Sequence, residues 1–289
     1  MKTYPARQIK TVTVVHNVTT DPNCVYLEKV KAFFKDHDIP ANTITVESKD
    51  CPVVTQEAQN PDMVVVLGGD GTFLRASLCF ARHQVPLVGI NTGTLGFLTR
   101  IEADRINLYL DRLLSGDYEI EERMMLGVND LEHLALNDVV IKNGNPSQMC
   151  SLRFYINETL VAVYDADGII ISTPTGTTAY TISAGGPVIS PEVEALSITA
   201  ICPHSLSAKP VVIPADKMLR VESVAKNHDV VVAIDGQESH ILFPGQSIRV
   251  FRAPIAVKIV NFRMEEDNFY LLLKKKLHWG MNPRWKTQA

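Results

Sequence analysis

The sequence predicts a chain of two classes, an N-terminal α/β domain over residues 1–117 and a C-terminal all-β sandwich over 118–262, followed by a helix and tail over 263–289. Three observations carry this expectation. The apolar run Val64-Val65-Val66-Leu67 does not alternate, as expected of a parallel strand buried on both faces, and it ends abruptly in Gly68-Gly69. Up to about residue 117, strand-like runs alternate with helical periodicity, the order that builds a Rossmann-like sheet from βαβ units. Beyond residue 118 long helical periodicity is missing, and short apolar runs are separated by glycine and proline, the pattern of a sandwich rather than a closed barrel. At 289 residues the chain has room for two domains of roughly 100–200 residues each.

The elements follow in order. Ile9–Val15 reads as a strand, with valine alternating with threonine. Asp21-Pro22 has the form of a helix start, an N-cap followed by proline at the first helical position. Val25, Tyr26, Val30, Phe33 and Phe34 then share one face. Thr43–Glu47 and Asp62–Leu67 are further strands. A helix over Thr72–Arg82 follows the glycine turn, Val85–Ile90 is the fourth strand, and a helix over Asp104–Leu114 is closed by Ser115-Gly116. In the second domain, extended segments are expected over Tyr118–Val128, Leu134–Lys142, Cys150–Ile156, Thr159–Asp165, Ile169–Ser172, Ser197–Ile201, Met218–Val224, Val230–Ile234, Ser247–Phe251 and Ile255–Val260. Asn157-Glu158 forms a hairpin turn between two of them. Glu265–Leu277 is again helical, with Phe269, Leu272, Leu273 and Lys276 on one face, and is expected to pack back on the first domain.

Composition removes several classes of function. Hydrophobic residues make up 46% and charged residues 21%, ordinary values for a soluble enzyme. A net charge of -4 argues against nucleic acid or an anionic membrane as the main partner. No run reaches the roughly 18 apolar residues of a membrane span. The start of the chain lacks the apolar core of a secretory signal, so a cytoplasmic location is expected. The five cysteines, Cys24, Cys51, Cys79, Cys150 and Cys202, form no CxxC pair and are expected to be reduced thiols that pack as small hydrophobes. The eight histidines show no metal-ligand spacing, so no protein-caged metal is expected.

Five stretches can carry chemistry. The first is Gly68-Gly69-Asp70-Gly71-Thr72, where an acid stands among glycines at the carboxyl end of a buried strand. Glycines let phosphates approach the backbone, and the acid accepts a hydroxyl proton or orients a metal. It is neither a Walker A loop nor a GxGxxG fingerprint, and read alone it is a tight turn as readily as a site. Arg75, just inside the following helix, is the nearest basic residue. The second is Asp167–Tyr180, continuing to Ser183, a strand opening into a loop dense in hydroxyls, with Tyr180 offering a flat face for a base. Its plainer alternative is a threonine-rich turn that caps its own helix. The third is Asn137-Asp138 inside an apolar strand, a polar pair that must be hydrogen-bonded, face a ligand or mark a strand-end bulge. The fourth, Asp235-Gly236-Gln237, is a hairpin turn more readily than a site. The fifth, Asn91–Phe97, is a glycine-punctuated loop placed to line the crevice at a sheet switch point. Lys274-Lys275-Lys276 reads as a solvated helix end.

Together these stretches resemble the NAD kinase family. Gly68–Thr72 matches its GGDGT motif, Asn137-Asp138 its Asn-Glu/Asp pair, and Asp167–Tyr180 its long DGxxxSTPTGSTAY signature, with Thr177 where serine is usual. Asn91–Phe97, Pro203–Pro210 and Asp235–Gln237 fall in the expected order. The resemblance implies phosphoryl transfer from ATP, with a divalent metal ion (Mg²⁺), to the 2′-hydroxyl of the adenosine ribose of NAD. It implies Asp70 as proton acceptor and Gly71 against the dinucleotide, with Gly68, Gly69, Thr72 and Arg75 about the ATP phosphates. Asn137 and Asp138 would bind the nicotinamide-side ribose and amide. Asp167, Thr178, Ala179, Tyr180, Thr181, Ile182 and Ser183 would line the NAD site, with Gln237 closing it. Gln148 and Asp165 complete the set, standing where relatives have histidine and a basic residue. The family's members are homo-oligomers, dimers or tetramers, whose NAD site a neighbouring subunit completes. Two rivals stand beside this reading: a lipid kinase of the diacylglycerol type, which shares the glycine-rich acid loop, and a non-catalytic dinucleotide sensor.

Overall fold

The computed structural model describes residues 3–5, 8–47, 60–129, 131, 133–144, 149–224, 229–264 and 268–280. They form two compact units, Lys2–Glu122 with Lys258–Ala289, and Arg123–Val257. The chain passes from the first unit to the second within one strand and returns within another.

The first unit is α/β. Its elements are β1 (Thr3–Pro5), β2 (Val12–Asn17), α1 (Val25–Asp36), β3 (Ala41–Val46), β4 (Met63–Gly68), α2 (Asp70–Phe80), β5 (Leu87–Asn91), β6 (Ile101–Glu102), α3 (Ile106–Ser115) and the start of β7 (Glu119–Val128). Strands β3, β2, β4 and β5 run parallel in that order, and β6 adds to β5. Every residue of β2, β4 and β5 is buried, as the unalternating run predicts for β4; β2, read as valine alternating with threonine, is buried on both faces as well. Helices α1 and α3 lay Leu27, Val30, Phe34, Ile106, Leu110 and Leu113 against Val14, Val65 and Ile90 of the sheet. Val260 and Phe262, from the far end of the chain, enter the same core.

The helix starts differ from expectation. Helix α1 begins at Val25, not beside Pro22, because Cys24 takes a left-handed backbone conformation first. Asp21 still caps it from outside: its carboxylate accepts the N–H groups of Val25, Tyr26 and Leu27 at 2.9, 3.1 and 3.1 Å. Helix α2 starts at Asp70, two residues early, and a 3-10 turn over Ala81–His83 ends it. Gly116, in the left-handed region with φ 77°, closes α3 as expected.

The second unit is built of strands: the rest of β7, then β8 (His133–Ala135), β9 (Asp138–Asn143), β10 (Cys150–Ile156), β11 (Thr159–Ala166), β12 (Gly168–Ser172), β13 (Ala195–Ile201), β14 (Val211–Pro214), β15 (Leu219–Ser223), β16 (Val230–Ile234), β17 (Gln237–Leu242) and most of β18 (Ser247–Asn261). One antiparallel sheet has the order β14-β13-β12-β9-β16-β17. Facing it, β11, β10, β15 and β18 pair in turn. Val139, Ile141, Ile169, Ile171, Leu196 and Val232 from the first meet Leu152, Phe154, Leu219, Val221, Ile248 and Val250 from the second in one core, a sandwich. The short helix α4 (Tyr180–Ser183) lies in this unit, and α5 (Phe269–Leu277) follows the return to the first. Asn157 and Glu158 make the expected tight turn, both with positive φ.

Two strand expectations are corrected. Leu134–Lys142 is not one strand. It breaks at Leu136-Asn137, because β8 pairs with β7 while β9 pairs with β12 and β16. Conversely, 247–251 and 255–260 are one fifteen-residue strand, β18, running through the exposed Pro254. Strands β1, β6, β14 and β17 carry no periodicity strong enough to be anticipated. None of the described cysteines forms a disulfide, and of them only Cys150 is buried; Cys202 is exposed, against expectation, on a bend with positive φ. No described helix is long and apolar enough to cross a membrane.

Asp21 holds three amides of α1 and also meets the fully buried His16, whose Nε2 is 3.1 Å from Oδ2. The Asp21→Ala variant should lose about 2 kcal/mol of stability, the loss of a cap together with a stranded histidine. Urea denaturation followed by circular dichroism reads the change; a midpoint equal to that of the unsubstituted protein would refute this role.

Candidate active site

The parallel strands of the α/β unit end together at Asn17, Gly68 and Asn91, the carboxyl edge where open α/β sheets bind ligands. Asp70 is the first residue of α2 at that edge. Its carboxylate faces the loop after β5: Oδ2 accepts the N–H of Phe97 at 2.7 Å, and Oδ1 accepts those of Leu98 and Thr99 at 3.0 and 2.9 Å and the Thr99 hydroxyl at 3.1 Å. Gly96 permits this closeness, since a Cβ there would fall 1.8 Å from Asp70 Oδ1. Asn91 folds the loop on itself, donating to Thr94 O at 2.7 Å and to the Thr99 hydroxyl at 3.0 Å while accepting from Gly93 N at 2.7 Å.

The other residues of the glycine turn divide. Gly69 and Gly71 are open at the Cα, Gly71 is exposed, and the Arg75 guanidinium lies 3.5 Å from where a Gly71 side chain would begin. No side chain caps α2, and while the Thr72 and Phe73 amides donate to Gly69 O at 3.0 and 3.1 Å, those of Asp70 and Gly71 at the very start of the helix remain available to an anion. Thr72 differs: it is 2% exposed, wedged against Gly68, and its hydroxyl accepts the Asn17 amide at 2.7 Å.

In the sheet unit, the break between β8 and β9 presents Asn137-Asp138, and Asp235 holds it. Asp235 Oδ2 accepts Leu136 N at 2.7 Å; Oδ1 accepts Asn137 N at 2.8 Å and Asp138 N at 3.1 Å. Asp235 and Gly236 both have positive φ, so the hairpin turn and the structural anchor are the same residues. From the other side, Thr173 N donates to Asn137 O at 2.9 Å and the Thr173 hydroxyl donates to Leu136 O. Gly176 leaves room for that backbone, since a Cβ there would fall 2.1 Å from Asn137 O. Asp138 is 4% exposed. Burial, with Asp235 beside it, raises its carboxyl to about 7. Burial likewise raises Asp235 to about 6, against the opposing pull of its three amide donors.

The hydroxyl-rich loop is partly what its plainer alternative describes. Thr175–Thr178 is a 3-10 turn, and its hydroxyls serve the loop: Thr177 donates to Pro174 O at 2.6 Å and accepts Ile189 N at 3.0 Å, and Thr178 donates to Thr175 O at 3.2 Å. Tyr180 and Ser183 are exposed, Thr178, Ala179 and Ile182 are half-buried, and Thr181 is fully buried. Asp167, exposed, precedes the end of β12 where Gly168 pairs with Lys142, whereas Ser172 at the other end pairs with Asp138. Asp165 is exposed on β11 and accepts the Ser151 hydroxyl. Gln237 opens β17 and is exposed. Gln148 lies outside the described residues. The structure therefore gathers Asn137, Asp138 and the loop from Thr173, and sets Asp165 and Asp167 a strand's length away.

Sequence reasoning missed Asn17, Thr20 and the anchoring role of Asp235. The signal for the first was a polar pair, His16-Asn17, ending a fully apolar-faced strand. A carboxyl raised to about 7 from its ordinary 3.8 favours the folded state at low pH, and that advantage is lost as pH rises through the interval. The unsubstituted protein should therefore show a urea midpoint that falls between about pH 4 and pH 7, to which Asp235 contributes a smaller fall in the same direction, and Asp138→Asn should flatten that fall. An unchanged slope would refute the assignment.

Comparison with known proteins identifies the family. A family model described as the ATP-NAD kinase N-terminal domain matches residues 8–118, and one described as the ATP-NAD kinase C-terminal domain matches residues 136–262. The chain is 41% identical over 236 residues to an NAD kinase of Heliobacterium modesticaldum, covering 79% of this chain and 83% of that protein. It is 46% identical over 223 residues to an NAD kinase of Symbiobacterium thermophilum, covering 75% and 78%. Among solved structures, an NAD kinase from Archaeoglobus fulgidus in complex with ATP superposes with a TM-score of 0.76 at 25% identity, covering 92% of this chain and 98% of that one. Yeast NADH kinase complexed with NADH shares the fold, with a TM-score of 0.75 at 24% identity. With both halves matched and relatives above 40% identity over three quarters of its length, the chain belongs to the NAD kinase family.

Proposed function

We propose that the protein transfers the γ-phosphoryl group of ATP to the 2′-hydroxyl of the adenosine ribose of NAD, giving NADP. The observation that carries the reading is Asp70, a carboxylate fixed at the carboxyl edge of the parallel sheet with open glycines on both sides. A ribose hydroxyl is a weak nucleophile near neutral pH. A positioned carboxylate that takes its proton helps by roughly 10²–10⁴-fold. Oδ1 already accepts three donors, whereas Oδ2 accepts only Phe97 N, so Oδ2 is the oxygen with capacity for that proton. The uncapped amides of α2 and the Arg75 guanidinium beside Gly71 suit the donor phosphates.

Among the described residues, no three of His, Cys, Asp or Glu cluster to hold a metal ion. Mg²⁺ carried in on the triphosphate would keep waters and phosphate oxygens as its ligands. Bound there, the ion neutralises charge on the phosphates. In the sheet unit Asn137 and Asp138 would read the nicotinamide side. An Asp138 that keeps its proton part of the time near neutral pH can donate as well as accept, which suits a carboxamide. Thr178, Ala179, Tyr180, Thr181, Ile182, Ser183 and Gln237 would line the dinucleotide, Thr181 from beneath. Asp167 would line an NAD site as well, that of a second protomer, since it lies at the far end of β12 from the Asn137-Asp138 pair, and Asp165 on the adjoining β11 would accompany it. The reading thus includes a cytoplasmic homo-oligomer.

Purified protein with ATP, Mg²⁺ and NAD should form NADP, and diacylglycerol in place of NAD should yield no phosphorylated product. NAD binding without turnover under varied donors would leave the sensor reading. Asp70→Asn should lower turnover by about 10²–10⁴-fold with NAD binding retained in calorimetry. Near-normal turnover would sink the proton-acceptor role. Gly96→Ala keeps Asp70 but drives a methyl into its carboxylate, and should lower turnover by about 10²-fold. Unimpaired activity there would mean that the loop need not hold the acid.

A further inference from the structure

The segment between β2 and α1 belongs to no recognised motif, yet its buried polar groups serve the two loops that frame Asp70. Asn17, 3% exposed, donates its side-chain amide to the Thr72 hydroxyl at 2.7 Å, and its Oδ1 accepts Thr19 N at 2.9 Å. Its main-chain oxygen accepts Thr20 N and Asp21 N at 3.3 and 3.2 Å. The Thr20 hydroxyl lies 2.6 Å from that of Thr92, in the loop whose later residues hold Asp70. One end of the segment is fixed by Asp21 on α1, the other by Asn17 on the first turn of α2.

From these contacts we infer that Asn17 is a positioning residue for phosphoryl transfer, acting through the Thr72 hydroxyl to fix the Gly68–Thr72 turn against the end of β4. Packing alone would be served by an aliphatic residue at this depth, because a buried carboxamide costs free energy unless its groups are bonded. Here every bond of the Asn17 side chain goes to a backbone amide of its own loop or to Thr72. Thr72 cannot move away without vacating its contact with Gly68, where the Cβ position lies 2.7 Å from its hydroxyl oxygen. The turn that carries Asp70 and the open amides of α2 is thereby held from behind, by a residue that faces neither substrate. The inference rests on the reaction proposed above, and a misplacement of about 1 Å in such a turn can cost about 10²-fold in rate.

The test is a double-mutant cycle on turnover, joined to hydrogen exchange, which needs no activity. Asn17→Ala and Thr72→Val should each lower kcat by about 10–100-fold, with KM for NAD within about threefold of the unsubstituted enzyme. The double variant should be no slower than the worse single one, because both remove the same bond. Thr72→Ser, which keeps the hydroxyl, should retain turnover. Asn17→Asp should recover it to within about threefold, since a carboxylate accepts both Thr19 N and the Thr72 hydroxyl. In exchange experiments the peptide over residues 68–73 should lose protection in Asn17→Ala while peptides of β4 and β5 keep theirs. Multiplying losses in the double variant, or wild-type kcat and exchange in Asn17→Ala, would overturn the inference. If the unsubstituted protein forms no NADP, the reaction proposed above fails, while exchange over 68–73 still decides the contact.

Discussion

A carboxylate that gathers three consecutive backbone amides recurs at each point where this chain must hold an irregular segment still. Asp21 takes Val25, Tyr26 and Leu27. Asp70 takes Phe97, Leu98 and Thr99, and Asp235 takes Leu136, Asn137 and Asp138. In each, one oxygen accepts a single amide and the other accepts two. Successive amides in a tight turn converge on one point and form a concavity for an anion. Burying such amides unpaired is costly, and an acid side chain answers that cost locally. The first clasp starts a helix. The second ties the glycine turn to the loop after β5, and the third presents the Asn137-Asp138 pair.

The second and third clasps place opposite demands on their acids. Asp70 orients a loop, and the reaction proposed for it needs one oxygen left able to meet a substrate, which the unequal division of donors between its oxygens allows. Asp235 is half-buried, and desolvation raises it despite its three amides. Its neighbour Asp138 rises further, for it is buried beside another acid. Two carboxyls so close cannot both ionise freely. Retaining a proton there changes Asp138 from a pure acceptor into a group that can also donate.

Much of the architecture was legible in the sequence because it followed from burial. The run at β4 has no polar face to show, and a parallel sheet is the arrangement that buries both faces. The hairpin at Asn157-Glu158 announced itself by residue type, and the cores of β10 and β16 matched their apolar runs to the residue. What escaped were features set by long-range partners. The break at Leu136-Asn137 occurs because the chain changes sheet, and Asp235, close to a hundred positions onward, anchors it. Helix α2 reaches back to Asp70 because the acid's own side chain is engaged elsewhere. The glycine turn and the hydroxyl loop were visible as motifs, but that Thr72 faces inward and Asn17 supports it depends on a contact across 55 positions.

The two units also differ in when they can be completed as the polypeptide leaves the ribosome. The strand unit is one uninterrupted stretch, Arg123–Val257, whereas the α/β unit needs residues beyond Lys258. Val260 and Phe262 belong to the α/β core, and Ile259 of β18 pairs with Leu87 of β5. The segment that bears Asp70 is thus synthesised early and sealed late. Until the last strand emerges, the apolar residues that Phe262 covers lack that cover, and one flank of β5 lacks its partner. An unpaired strand edge of this kind is where a nascent chain meets chaperones or its own copies.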